Sequence, residues 1–172
     1  KTPKGTCLHD GSEKPDTDGY GDDMMYVSAR AKKRPAIVDR DKAMLELLYA
    51  CGLRVSELVG MTTDQASLTQ GVVRLVGKGS KERIVPVGRH ALRALNRWLQ
   101  SRGGVADIDE PALFVSNRGA RISPRAVQAR VTHWARRQGI DSNVYPHLFR
   151  HSFATHVLES SHDLRGVQEL LG

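Results

Sequence analysis

Tyr49-Ala50-Cys51-Gly52-Leu53-Arg54-Val55-Ser56-Glu57-Leu58, residues 49–58, places a glycine at the end of one apolar segment and an arginine at the head of the next. Upstream, Met44, Leu45, Leu47 and Leu48 supply a wide apolar face, and Asp39 or Asp41 can accept the orphan N–H groups of a first turn, so a buried helix is expected from there to Gly52. A second, short helix is expected from Val55 to Gly60. The junction admits two readings: a helix-turn-helix with Gly52 at the turn and a polar recognition helix after it, or a turn after which Arg54 is an ordinary surface residue. The rest of the chain decides between them.

Downstream, Gly71-Val72-Val73-Arg74-Leu75-Val76 and Glu82-Arg83-Ile84-Val85-Pro86-Val87 are rich in β-branched residues and flank Gly77-Lys78-Gly79-Ser80-Lys81, which has turn chemistry. They predict a β-hairpin with lysines near its tip. From His90 to Gln100, Ala91, Leu92, Leu95, Trp98 and Leu99 share one helical face, while Arg89, Arg93 and Arg97 recur as a solvated row. Ala112-Leu113-Phe114-Val115 suggests a short strand. Ser123-Pro124 then opens a helix running to about Gln138 with a Val127, Val131 and Trp134 core stripe and Gly139 as its stop. Helices from about Leu148 to Glu159 and Leu164 to Leu171 complete an α+β, mainly helical pattern.

The chain has 172 residues, enough for one core. Its 26 Lys and Arg against 19 Asp and Glu give a formal charge of +7. Residues 1–30 hold four basic and six acidic side chains, so the remainder, with 22 against 13, carries +9. A basic domain favours polyanions such as nucleic acid. Residues 1–30, rich in Gly, Asp, Pro and Lys without periodicity, are expected to be a disordered or linker-like tail. Cys7 and Cys51 are too few for a disulfide framework or a thiolate metal site, and no run approaches a membrane span or a signal peptide, so a cytoplasmic setting is expected.

Four elements bear on phosphate chemistry: Gly52-Leu53-Arg54-Val55-Ser56-Glu57-Leu58, Gly77-Lys78-Gly79-Ser80-Lys81-Glu82-Arg83, His147-Leu148-Phe149-Arg150-His151 and Val167-Gln168-Glu169-Leu170-Leu171-Gly172. Attack on a phosphodiester builds charge on two non-bridging oxygens, which a guanidinium fork matches bidentately, so two arginines from distant parts of a chain can clamp one phosphate. In order and spacing, with His151-Ser152-Phe153-Ala154-Thr155-His156 behind the second arginine, the sequence from about Asp39 to Gly172 resembles the tyrosine recombinase (phage integrase) family, close to its Xer branch.

That resemblance implies the catalytic-domain fold of the family over residues 31–172, with a small β-hairpin sheet. It implies site-specific recombination of double-stranded DNA through a 3′-phosphotyrosine intermediate, as in chromosome-dimer resolution. A phage or integron integrase is the alternative role. Arg54 and Arg150 would be the clamp, His147 a further donor or proton carrier, and Lys78, preferred over Lys81, the acid that protonates the departing 5′ oxygen. Glu57 would support its neighbours by an ion pair, and Lys81, Arg83, Arg125 and Arg130 are expected DNA contacts. The link conserves the energy of the phosphodiester, so no cofactor is implied, and the arginines perform charge stabilisation without a metal. The partners implied are duplex DNA and a second recombinase subunit, in a tetramer on DNA.

The family places a histidine and then the attacking tyrosine beyond the Leu-Leu-Gly of the last helix. Neither matches a residue here, since Tyr20, Tyr26, Tyr49 and Tyr145 lie elsewhere in the order. Residues 31–172 are therefore expected to fold and grip DNA without cleaving it, and the chain, as an incomplete catalytic domain, to be monomeric in isolation. Two rivals need other geometry: a helix-turn-helix regulator would leave Arg54, Lys78, His147 and Arg150 scattered, and an interaction module for RNA or an acidic protein would act through Arg125, Arg130, Arg136 and Arg137.

Overall fold

The apolar face around Met44–Leu48 needs a partner surface, and the computed structural model shows what provides it. The structure describes the backbone of residues 20–76, 82–140 and 144–171, with side chains from Pro35 onward. Helix α1 spans Tyr20–Ala50 and packs along α3, Arg89–Arg102. Ala43, Met44, Leu47 and Leu48 are buried against a core that includes Ala91, Ala94, Leu95 and Trp98. The Trp98 indole N–H donates to Leu113 O at 2.8 Å, so this large ring is buried without an orphaned donor.

The expected hairpin is present as β2, Val72–Val76, and β3, Glu82–Pro86, paired antiparallel from Val72↔Pro86 to Val76↔Glu82. A two-residue strand, β1 (Ala66–Ser67), joins its other edge in the order β1-β2-β3. Val73, Leu75 and Val85 bury the inner face, while Arg74, Val76 and Ile84 are exposed on the other. The short helix α2, Val55–Gly60, follows α1 through the 51–54 turn, and α4, Pro124–Arg137, starts where Ser123 Oγ accepts from Ala126 N. Helices α5, Pro146–Ser161, and α6, Leu164–Leu171, complete a mainly helical domain with a small antiparallel sheet. Among the described residues no helix is long and apolar enough to cross a membrane.

Three expectations need correction. Helix α1 begins at Tyr20, so residues 20–30 of the expected linker-like tail are helical, and Pro35 lies inside the helix. Proline removes one main-chain donor from the ladder, so the helix runs through Pro35 with one bond fewer. Asp41 is consequently no N-cap: it is fully buried in the helix interior and accepts from Arg40 Nη2 at 2.7 Å, Arg130 Nε at 2.6 Å and Trp134 Nε1 at 3.0 Å. Ala112–Val115 forms no strand but a buried loop tied by single bridges, Thr62↔Ala112 and Val115↔Arg121. The preceding residues 1–19 lie outside the described part.

The Asp41 network joins α1 to α4, and Arg40 extends it by donating to Val115 O at 2.9 Å. Removing the carboxylate would leave a buried guanidinium without its counter-charge. Asp41→Ala is expected to lower the unfolding free energy by about 3–5 kcal/mol, measured by urea denaturation monitored by circular dichroism.

Candidate phosphate-binding site

Gly52 closes α1 with φ +59°, a left-handed conformation in which a side chain is strained. Space is as restrictive as conformation there, since a Cβ would lie 2.5 Å from Phe153 Cδ1 and 3.0 Å from Leu171 Cδ2. Helices α5 and α6 therefore press on the turn through the one residue that lets them. The same approach brings Arg150, on the second turn of α5, to the turn's backbone: Nη1 donates to Gly52 O at 2.7 Å, and Nη2 donates to Leu171 O at 2.9 Å.

Arg54 occupies the N-cap position of α2, with extended backbone. Glu57, at the third position of that helix, reaches back to accept from Arg54 N at 2.8 Å and from Arg54 Nη1 at 3.0 Å. A second cation completes the group. Arg83, on β3, donates from Nη1 to Glu57 Oε1 at 2.9 Å and from Nη2 to Glu57 Oε2 at 3.0 Å, a bidentate fork.

The electrostatics bind Arg150 to the same cluster. Burial first, and then the positive charge of Arg54, lower its pKa from the usual arginine value, Glu57 opposes them, and Arg83 adds to the lowering. It stays cationic at neutral pH. Burial by itself would raise the Glu57 carboxyl, but the hydrogen bonds and charge of Arg83, with those of Arg54, outweigh it and hold the group below its usual range. Among these four side chains, three guanidinium groups face one carboxylate. The arrangement has surplus positive charge and a fork-shaped donor set suited to a tetrahedral oxyanion.

His147, on the first turn of α5, is exposed and lines a depression of about 410 Å³ together with Tyr145, Arg150 and His151. It is connected to the arginine cluster through Arg150. Arg125 is exposed at the start of α4. Lys78 and Lys81 lie in residues 77–81, outside the described residues, between the paired ends Val76 and Glu82 of the hairpin. Two expected DNA contacts have protein partners: Arg130 Nε is held by Asp41, and Arg83 by Glu57. A larger apolar groove of about 820 Å³, walled by Leu45, Tyr49, Trp134 and Phe149 among others, contains none of the cluster, and chemistry rather than size identifies the site. Among the described residues no group of three or more His, Cys, Asp or Glu side chains is placed to hold a metal ion.

A recognition helix would present Glu57 outward, whereas here its side chain is buried and bonded to Arg54 and Arg83, which counts against the helix-turn-helix alternative. Two assignments were missed by the sequence reading: Asp41 as a buried hub, and Arg83 as the partner of Glu57. Strand alternation carried a signal for the second, because Arg83 shares its face with buried Val85.

The chain matches the model of the phage integrase family over residues 24–172, and it belongs to that family. It is 57% identical over 133 residues to the tyrosine recombinase XerC of Salmonella typhi, covering 77% of this chain and 44% of that protein. With the tyrosine recombinase XerC of Haemophilus influenzae it shares 50% identity over 152 residues, 88% of this chain and 51% of the relative. Among solved structures, XerA recombinase superposes with a TM-score of 0.73 at 30% identity, covering 84% of this chain and 54% of that one. XerH site-specific recombinase bound to its difH substrate gives 0.70 at 26% identity, covering 80% and 40%. The chain spans about half the length of the relatives it matches.

Two predictions follow from the geometry of the turn and its carboxylate. Gly52→Ala is expected to cost at least about 1 kcal/mol from its left-handed backbone, with the contact to Phe153 adding to it, and to lower the thermal midpoint. Because the Glu57 carboxyl is depressed in the folded state, its contribution is fully present above its ordinary value of 4.5 and is lost as pH falls through the lower folded value. The stability difference between the protein and Glu57→Gln, measured by urea titration at a series of pH values, is therefore expected to shrink below about pH 4.5.

Proposed function

We propose that residues 31–172 are the catalytic domain of a site-specific DNA recombinase of the Xer kind, acting on duplex DNA by cleavage and religation through a 3′-phosphotyrosine link. The observation that carries this reading is the pairing of Arg54 and Arg83 on the single carboxylate of Glu57, with Arg150, 96 positions from Arg54 by number, bonded to the carbonyl of Gly52 two residues before Arg54. Family membership and the similarity to Xer recombinases support it.

In this reading Arg54 and Arg150 take the non-bridging oxygens of the scissile phosphate and stabilise the charge that grows on them as the tyrosine oxygen attacks phosphorus. The bond to the 5′ oxygen breaks, and Lys78 gives that oxygen its proton; in religation the 5′ hydroxyl attacks and tyrosine departs. His147 donates to the phosphate or carries a proton. Glu57 orients Arg54. Lys81 and Arg125 engage the DNA backbone, and Arg130 adds to that contact with whatever its bond to Asp41 leaves. The tyrosine is assigned to a position following Leu170-Leu171-Gly172 in the family order. Tyr49 is a poor substitute, because its hydroxyl is engaged with His156 Nδ1 at 2.8 Å.

Within the whole protein, a second recombinase subunit and the resolution of chromosome dimers belong to the same proposal, prompted by the XerC relatives. A phage or integron integrase is less favoured, because the XerC matches are of much higher identity than the integrase structures.

The test is a gel assay of residues 1–172 on a duplex carrying a Xer-type recombination site, titrated with salt and repeated with a nicked suicide substrate. Binding is expected to fall steeply between 50 and 200 mM salt, by roughly a thousandfold if about six phosphates are neutralised, with no covalent adduct. Arg54→Met and Arg150→Met are each expected to weaken it by about tenfold. Salt-insensitive binding, or an adduct mapped to Tyr20, Tyr26, Tyr49 or Tyr145, would overturn the assignment.

A further inference from the structure

Strand β3 alternates exposed Glu82, Ile84 and Pro86 with inward Arg83 and Val85, so an arginine stands where the sheet offers a core position. Its cross-strand neighbour Leu75 is buried. The side chain is only 14% exposed, and among the described residues its buried Nε has no hydrogen-bond partner. Such a donor is costly, and an apolar residue at this place would avoid the loss. The retained guanidinium instead spends both terminal nitrogens on the two oxygens of Glu57.

Glu57 has two oxygens and two tasks. Oε2 receives the main-chain N–H of Arg54 and Oε1 its Nη1, which fixes both ends of that residue. A carboxylate on a six-residue helix has several rotamers, and one cation alone would not select the one that reaches back to the N-cap. The fork from Arg83 approaches from a different element and locks both oxygens. It also fastens the hairpin, one pair from its tip-side end at Val76↔Glu82, to the start of α2.

From this geometry we infer that Arg83 is a positioning residue rather than a DNA contact: through Glu57 it sets Arg54 for the phosphate. The inference rests on the reading of Arg54 as a phosphate ligand. Each terminal nitrogen keeps a second N–H beyond its bond to Glu57, so the experiment has to separate a brace from a direct contact.

The experiment is a double-mutant cycle in residues 1–172, with Arg54→Met, Arg83→Met and their combination, read as duplex affinity across a salt series. Arg83→Lys and Glu57→Gln accompany them, and circular dichroism confirms folding. Arg83→Met is expected to weaken binding by about tenfold in the parent and to change nothing further once Arg54 is Met, the non-additivity of residues acting as a unit. The slope of affinity against salt should fall by about one for Arg54→Met and by no more for the double variant. Arg83→Lys, whose ammonium cannot grip both oxygens, should recover only part of the loss; it also carries the cycle if Arg83→Met fails to fold.

Additive losses, with the salt slope of the double variant falling by about two, would mean a direct contact and overturn the inference. So would normal affinity in folded Arg83→Met while Arg54→Met is impaired. Normal affinity in Arg54→Met would instead sink the phosphate reading itself, and the role of Arg83 with it, so the silent variant shows which idea has failed.

Discussion

Like charges held close repel, and the site depends on how that repulsion is met. Arg54, Arg83 and Arg150 lie within electrostatic reach of one another. Glu57 answers two of them by direct ion pairs, and main-chain carbonyls answer the third at Gly52 and Leu171. The compensation is partial, as the proposed anion site would require. Full neutralisation would give a stable but inert ion-pair network, whereas none would drive the side chains apart into solvent.

The remainder of the domain can be understood as a means of holding those four side chains. Helix α1 is its spine. Its apolar face lies on α3, its buried Asp41 fixes α4, and its end at Gly52 presents a carbonyl to Arg150. Sheet and helices contribute one arginine each to the neighbourhood of Glu57, so the geometry of the cluster reports directly on how β3, α2 and α5 are packed. A displacement of any of them would be felt at the others.

Much of this was legible from residues. The helical stripes of α3 and α4, the hairpin and the Ser123-Pro124 start follow local rules, and the order of the arginine motifs pointed to the family that the chain matches. The failures have physical causes. Residues 20–38 lack an apolar stripe and contain Pro35, so no local signal announced a helix there. Ala112–Val115 is buried because Met61 O and Ile122 N supply its hydrogen bonds to Leu113 and Phe114, partners distant in sequence. Arg130 looked like a free surface cation, since its anion sits 89 positions away, and Asp41 looked like a cap because short carboxylates near a helix start usually are. Formal charge overstates the free basic surface for the same reason: Arg40, Arg83, Arg102 and Arg121 all donate to groups within the protein.

The bond from Arg150 Nη2 to Leu171 O joins this arginine to the last turn of α6, a helix whose buried residue is Val167. Each terminal nitrogen carries two N–H groups, so Arg150 can hold the carbonyls of Gly52 and Leu171 and still have protons for the anion it is proposed to bind. The carbonyls that seat α6 also fix the plane of the guanidinium, so in the proposed reading an anion held by that plane would steady α6, and by reciprocity a well-seated α6 would favour the anion. Occupancy of the cluster and the seating of α6 would then be coupled through one side chain.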